Sequence, residues 1–200
     1  MPKVFRSLIL AAFLLAVPGM LTQAFAAGQW EIDKQHSSFY FDIRHTFATV
    51  RGQFEDFSGS VAFDAEAERV ESVEFSVRVA SVNTQITKRD NHLRSEDFFH
   101  AKRHPRMTFK SSNVEHREGD RFVAEGELTI KSVSKEVAIP FTYLGMRDNP
   151  LQKGQKVAGF EAEFSLDRLE YDVGTGKFVE MGVVEREVNV LVTLELLKDQ

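Results

Sequence analysis

Along most of the chain, apolar and polar residues take turns with a period of two. Phe39, Phe41 and Ile43 interleave with Ser38, Tyr40 and Asp42, and Val73, Phe75, Val77 and Val79 interleave with Glu74, Ser76 and Arg78. The pattern returns at Met107 and Phe109, from Phe122 to Ile130, from Val137 to Tyr143, from Ala158 to Leu166 and from Val188 to Leu196. With Phe57, Gly59, Val61 and Phe63 it predicts about eight strands, each with one apolar face. Val50 to Phe54 sits in the opposite phase to Phe57 to Phe63, which predicts a bulge near Glu55 and Asp56.

Turn residues punctuate these runs: Arg117-Glu118-Gly119-Asp120, Lys131 to Lys135, and Arg147-Asp148-Asn149-Pro150 with Gly154 beyond. Connections this short join antiparallel neighbours. One apolar face per strand points to a sandwich or a barrel, and the barrel is favoured because closure removes aggregation-prone edges. The long exception is "SVNTQITKRDNHLRSEDFFH", residues 81–100. Thr87 and Asp90 have the spacing of a capping box, and Ser95-Glu96-Asp97 carries acids suited to the first turn of a second short helix. Ile86 and Leu93 share one helical face, with Phe98 and Phe99 following. A helical connection near residues 84–100 with an apolar side is expected to pack over one end of the barrel as a lid.

The amino terminus decides where this domain works. Lys3 and Arg6 precede an apolar run from Leu8 to Val17, then Pro18-Gly19 and the small-x-small site Ala24-Phe25-Ala26. That run is about ten residues, against the ~20 that cross a bilayer. Residues 1–26 are expected to be a cleaved signal peptide, and residues 27–200 one periplasmic or secreted domain with no transmembrane span. The chain has no Cys, which excludes disulfides, thiolate metal sites and a Cys nucleophile. Without Lys3 and Arg6, 23 basic residues face 30 acidic ones, a net charge near −7 that argues against nucleic acid as a partner. Eighteen Phe against one Trp and three Tyr supply apolar area without polar tips, fit for a core or an apolar pocket.

Four segments, "IDKQHSSFYFDIRH" (32–45), "SVNTQITKRDNHLRSEDFF" (81–99), "LTIKSVSKEV" (128–137) and "DRLEYDVGTGKF" (167–178), resemble in order and separation the YceI-like family of exported proteins. The second, with Thr84, Arg89-Asp90, His92-Leu93 and Asp97-Phe98-Phe99, is the most specific. The resemblance implies an eight-stranded antiparallel lipocalin-like barrel whose apolar interior holds an isoprenoid chain, often that of an isoprenoid quinone, with no further cofactor. The chain departs from the family's usual wording at Ser132, Glu136 and Asp172, positions expected in turns.

The inward phases nominate a tunnel lining: Phe39, Phe41, Ile43, Phe75, Val77, Val79, Met107, Phe109, Phe141, Phe160 and Phe164, with Leu93, Phe98 and Phe99 from the lid. Alternation alone does not separate such a tunnel from a barrel filled by its own side chains; the resemblance favours the tunnel. His45, Arg89, Asp90, His92, Arg168 and Tyr171 are the polar candidates for mouth and lid. Arg89 either ties the lid to strand-end carbonyls or a carboxylate, or meets a quinone carbonyl, and Arg168 and Tyr171 either close the last hairpin or touch ligand. No metal site is expected, because His36 and His45 lie on opposite strand faces. The expected function is a binding module for a long isoprenoid, as carrier, reservoir or sensor. Fatty acids and other amphiphiles are the alternative ligands, and an enzyme is disfavoured by the lack of a nucleophile elbow or cofactor fingerprint. A homodimer is left open.

Overall fold

The computed structural model describes residues 30–199; the signal-peptide expectation falls on residues outside that range. The strands are β1 (Glu31–Ile32), β2 (Ser38–His45), β3 (Ala48–Phe54), β4 (Phe57–Asp64), β5 (Arg69–Arg78), β6 (Val82–Asn83), β7 (Arg106–His116), β8 (Arg121–Ile130), β9 (Val133–Asp148), β10 (Gln155–Asp167) and β11 (Val184–Asp199). Helix α1 (Thr87–Arg94) lies between β6 and β7, and α2 (Lys177–Glu180) between β10 and β11. Every strand belongs to one antiparallel sheet in the order β4-β5-β7-β8-β9-β10-β11-β2-β3-β6, with β1 also on β11. No helix among these residues is long and apolar enough to cross a membrane.

The fold is all-β and the sheet curls into a barrel, with more strands than the pattern predicts. Two of the additional ones, β1 and β6, have two residues each. The third arises at Glu55-Asp56. Alternating antiparallel pairings give β3 and β4 the same direction, so they run on as one line broken at those two residues. The line changes partners at the break: β3 pairs with β2, and β4 with β5. The expected bulge is thus a corner. The Glu55 amide turns aside to donate to the Ser81 carbonyl (3.3 Å), and the Arg78 amide donates to Asp56 (2.8 Å), with the Arg78 guanidinium also on the Asp56 carboxylate. Two apolar faces of opposite phase are thereby both turned inward.

Strands β9 and β11 have 16 residues each, about 50 Å of extended chain, so the barrel is long for its girth. At one end, near the connections 65–68, 117–120 and 149–154, side chains fill it. Phe63 stands edge-on to Phe160 (5.2 Å between ring centres, 88°) and lies 5.0 Å from Tyr143 and 5.6 Å from Trp30. Phe63, Ala158 and Leu196 are fully buried there. The Trp30 indole N–H donates to the Phe63 carbonyl at 3.1 Å, tying the segment that leads into β1 to β4. Burial pushes the Tyr143 hydroxyl pKa up, with Glu68 and Asp120 adding to the rise.

Two of the departures from the family wording fall in turns. Lys131, beside Ser132, has φ 56°, and Asp172 has φ 55° at the end of the 3-10 turn Arg168–Tyr171, a left-handed conformation that Asp tolerates better than most residues. Glu136 is not in a turn: it lies within β9, opposite Glu127 of β8.

Candidate ligand tunnel

The other end of the barrel is hollow. A cavity of about 630 Å³ runs inside the sheet from Val61 and Leu194 near the plug to His45, Ile86, Lys88 and Phe178 at the opposite end. Its lining residues Phe39, Phe41 and Ile43 (β2), Phe164 and Leu166 (β10) and Val188 and Val190 (β11) all point inward, yet each remains half-buried. A packed interior has few voids larger than a water molecule, and an apolar hollow of ~150 Å³ already holds a benzene. The alternating pattern has built a wall here without filling the space behind it.

Every apolar residue nominated from the sequence borders this cavity except Val79. Strand β5 ends at Arg78, and Val79 opens the 3-10 turn Val79–Ser81, its amide donating to the Pro105 carbonyl at 3.0 Å. The chain has left the sheet, so Val79 is buried outside the cavity wall. The nominated lining left out Phe54, Leu128, Ile130, Val173 and Phe178, which also border it. Phe54 was legible as the apolar end of β3; Phe178 gave no periodic signal, because it sits on the single turn of α2.

The connection between β6 and β7 covers one side of the hollow. Leu93 of α1 and Phe99 pack against both the Phe54–Phe57–Val77–Val82 cluster and the Phe98–Ile130–Tyr171–Val173 cluster. Phe98 stacks on Phe178 with ring centres 5.6 Å apart and planes 19° off parallel, joining the α1 segment to the α2 segment. Its polar side differs from the capping box expected. Ile86 is the residue before the helix, and no side chain caps it. The Asp90 carboxylate instead accepts from the Thr84 amide (2.8 Å) and hydroxyl (2.5 Å). The Arg89 Nε donates to that hydroxyl oxygen and its Nη2 to the Thr84 carbonyl, both at 2.7 Å. Arg89 borders the cavity, whereas Asp90 is buried under the helix and does not. The second helix expected at Ser95 does not form: Ser95 ends α1 in extended conformation, its hydroxyl donating to the His92 carbonyl (2.7 Å), and turns follow.

His45, His92, Arg168 and Tyr171 also border the hollow. His92 is edge-on to Phe98 (4.9 Å) and hydrogen-bonds Asp97 (3.1 Å). Arg168 is buried, and its guanidinium donates to the carbonyls of Glu185 (2.8 Å), Val173 (2.7 Å) and Val184 (3.3 Å). Desolvation by burial lowers its pKa, and it lies 5.9 Å from the centre of the Phe98 ring. It fastens the last connection while presenting a cation beside the cavity. Burial likewise raises the Tyr171 hydroxyl pKa, with Glu170 adding to it. His36 is elsewhere: its ring meets Asp33 at 2.7 Å near the plug, with Glu195 completing a small polar group on the outer surface.

Comparison with known proteins agrees with this architecture. Over 172 residues the chain is 34% identical to the protein YceI of Escherichia coli O6:H1, covering 84% of this chain and 86% of that protein. Burkholderia cenocepacia BcnA superposes with a TM-score of 0.71 at 24% identity, over 84% of this chain and 99% of that one. A polyisoprenoid binding domain from Saccharophagus degradans, implicated in plant cell wall breakdown, has the same fold at 13% identity (TM-score 0.62, 86% and 98% covered). Residues 30–196 match the YceI-like domain, and with the YceI relative at that identity and coverage, the chain belongs to the YceI-like family.

Proposed function

We propose that this protein is a non-enzymatic carrier that holds one long isoprenoid lipid, such as an isoprenoid quinone, in the barrel, and that it works in the periplasm after residues 1–26 are removed. The observation that carries the reading is the hollow of about 630 Å³ behind a half-buried apolar wall. Its volume lies within the roughly 300–1,000 Å³ range of small-molecule sites. An isoprenoid presents methylene and methyl surface, and each buried methylene is worth ~0.8 kcal/mol, so several units bind tightly by area with no catalytic group. The polyisoprenoid-binding domain of the same fold supports the ligand class. The polar residues His45, Arg89, His92 and Arg168 border the hollow at the α1 and α2 end, which supports a reading with the tail in the interior and the head group among them. Organic extraction of the purified protein followed by mass spectrometry tests the reading. Isoprenoid masses are expected; acyl masses, or nothing bound to protein purified without detergent, would overturn it.

A further inference from the structure

A carrier must also reach the place where its lipid lies, and the hollow end of the barrel has a surface suited to that. Five large apolar residues stand exposed among those described: Phe47, Ile86, Leu144, Leu151 and Met181. Three come from separate segments at the hollow end. Phe47, at the tip of the β2–β3 hairpin, is 93% exposed; Met181, just past α2, is 61% exposed; Ile86, before α1, is 51% exposed. The Thr46 amide donates to the Val183 carbonyl at 3.0 Å, holding the hairpin tip alongside the turn that bears Met181. The Arg44 guanidinium donates to the Phe47 carbonyl (2.8 Å) and braces the tip in its outward position. Ile86 and Val183 border the cavity themselves, so apolar surface continues from the outer rim into the hollow.

The charges on this rim run against those of the whole chain. Across residues 44–49, 85–89 and 176–185 the ionised groups are Arg44, Lys88, Arg89 and Lys177 against Glu180 and Glu185, in a protein of net charge −5. Protruding apolar side chains among cations are what an anionic phospholipid surface accepts: apolar tips enter the headgroup boundary while Lys and Arg meet phosphates. Scattered exposed apolar residues are ordinary, and Leu151 at the plugged end is one of them. Three around one opening are a patch with a direction.

We propose that this rim, led by Phe47, Met181 and Ile86, seats on the surface of a bilayer containing anionic phospholipid, so that the tunnel opens onto the membrane and its lipid crosses without passing through water. The inference rests on the carrier reading, and the test separates the two. Flotation with vesicles of phosphatidylcholine, and of phosphatidylcholine containing phosphatidylglycerol, measures docking. Uptake of a fluorescent isoprenoid alcohol from detergent micelles measures the tunnel alone. The double variant Phe47→Ser/Met181→Ser is expected to lose about tenfold in vesicle partitioning and in uptake from vesicles, with uptake from micelles unchanged. Leu151→Ser is expected to match the unaltered protein throughout, and partitioning is expected to be stronger on the anionic vesicles. Equal partitioning of the double variant and the unaltered protein overturns the docking proposal, as does a protein that carries lipid without partitioning at all. A concentration-dependent dimer in sedimentation that the double variant abolishes would assign the rim to a second copy of the chain instead. Phe47-dependent partitioning with no uptake from either source would leave docking standing and remove the carrier reading.

Discussion

At the plugged end Phe63, Ala158 and Leu196 lose all contact with solvent, while Phe41, Ile43, Phe164, Leu166 and Val188, equally inward in phase, stay half-buried around the hollow. The same period of two and the same residue types produce both halves. What differs is what comes in from outside the sheet pattern. Trp30 and the rings of Phe63, Tyr143 and Phe160 converge at the plug. At the other end the α1 and α2 segments meet through Phe98 and Phe178, and the cavity remains beside them. Alternation therefore fixes which face is apolar and leaves open whether that face meets other side chains or a guest.

The sharpest way to break this comparison is to delete the same ring from each half. Phe63→Ala removes a fully buried ring with partners on all sides and is expected to cost about 3–5 kcal/mol, whereas Phe164→Ala, already facing empty space, is expected to cost about 1 kcal/mol or less. Urea unfolding of ligand-free protein reads both; equal losses would mean that the hollow is ordinary core. Enlargement gives the converse. Phe63→Trp overpacks the plug at about 1–3 kcal/mol, while Ile43→Trp and Phe164→Trp, at half-buried positions facing the hollow, are expected to leave stability nearly unchanged and to cut lipid uptake severalfold. Loss of stability at all three sites, with uptake intact, would contradict the distinction.

The cover gives a smaller effect. Truncating Phe98 and Phe99 together to Ala removes the stack on Phe178 and the contact with Phe54. Release of a bound fluorescent isoprenoid is expected to quicken about tenfold, a barrier lowered by ~1.4 kcal/mol. Unchanged release with the fold intact would mean that the ligand leaves elsewhere. The smallest expected effect lies on the outer face of the hollow half. The Arg51 guanidinium, bonded to the Asp42 carboxylate at 2.8 and 2.6 Å, holds its pKa below the ordinary 3.8 against the opposing effect of burial. The stability this contributes is present above pH 3.8 and is lost as pH falls through the lowered value in the folded protein. Asp42→Asn is expected to be slightly less stable than the unaltered protein at pH 7, with the gap closing on acidification; a gap that widens in acid would reverse the assignment.

The wall was legible in the sequence and the space it encloses was not. Phe39, Phe41, Ile43 and Phe164 announce their face through their polar neighbours, because a pleated strand forces that alternation. The volume behind them depends on how ladders pair around the whole sheet, which no local pattern encodes. Val79 failed because a strand's end is set by a hydrogen bond from far along the chain, here the Pro105 carbonyl. Asp90 belongs to the lid and not to the cavity edge, and only its partner was misread: the capping-box spacing pointed to Thr87, but the Thr84 amide and hydroxyl three residues earlier took the carboxylate. Phe178 and Phe47 were silent because neither stands in a run long enough to show a period.

The broken line of β3 and β4 bears on girth. A barrel laddered all the way round has its circumference set like a riveted hoop. Here the chain at Glu55-Asp56 passes from one partner to the other, held by the Ser81 carbonyl, the Arg78 amide and the surface pairing of Arg78 with Asp56. A hoop with one buckle changes its waist at the buckle and keeps its rivets. A chain that carries a methyl branch at every unit is thicker than a straight one, and its passage asks for brief local widening more than for a permanently wider bore. Amide exchange near residues 53–57 is therefore expected to outpace that of the long β10–β11 ladder and to slow when lipid is bound; uniform protection around the barrel would argue for a hoop of fixed size.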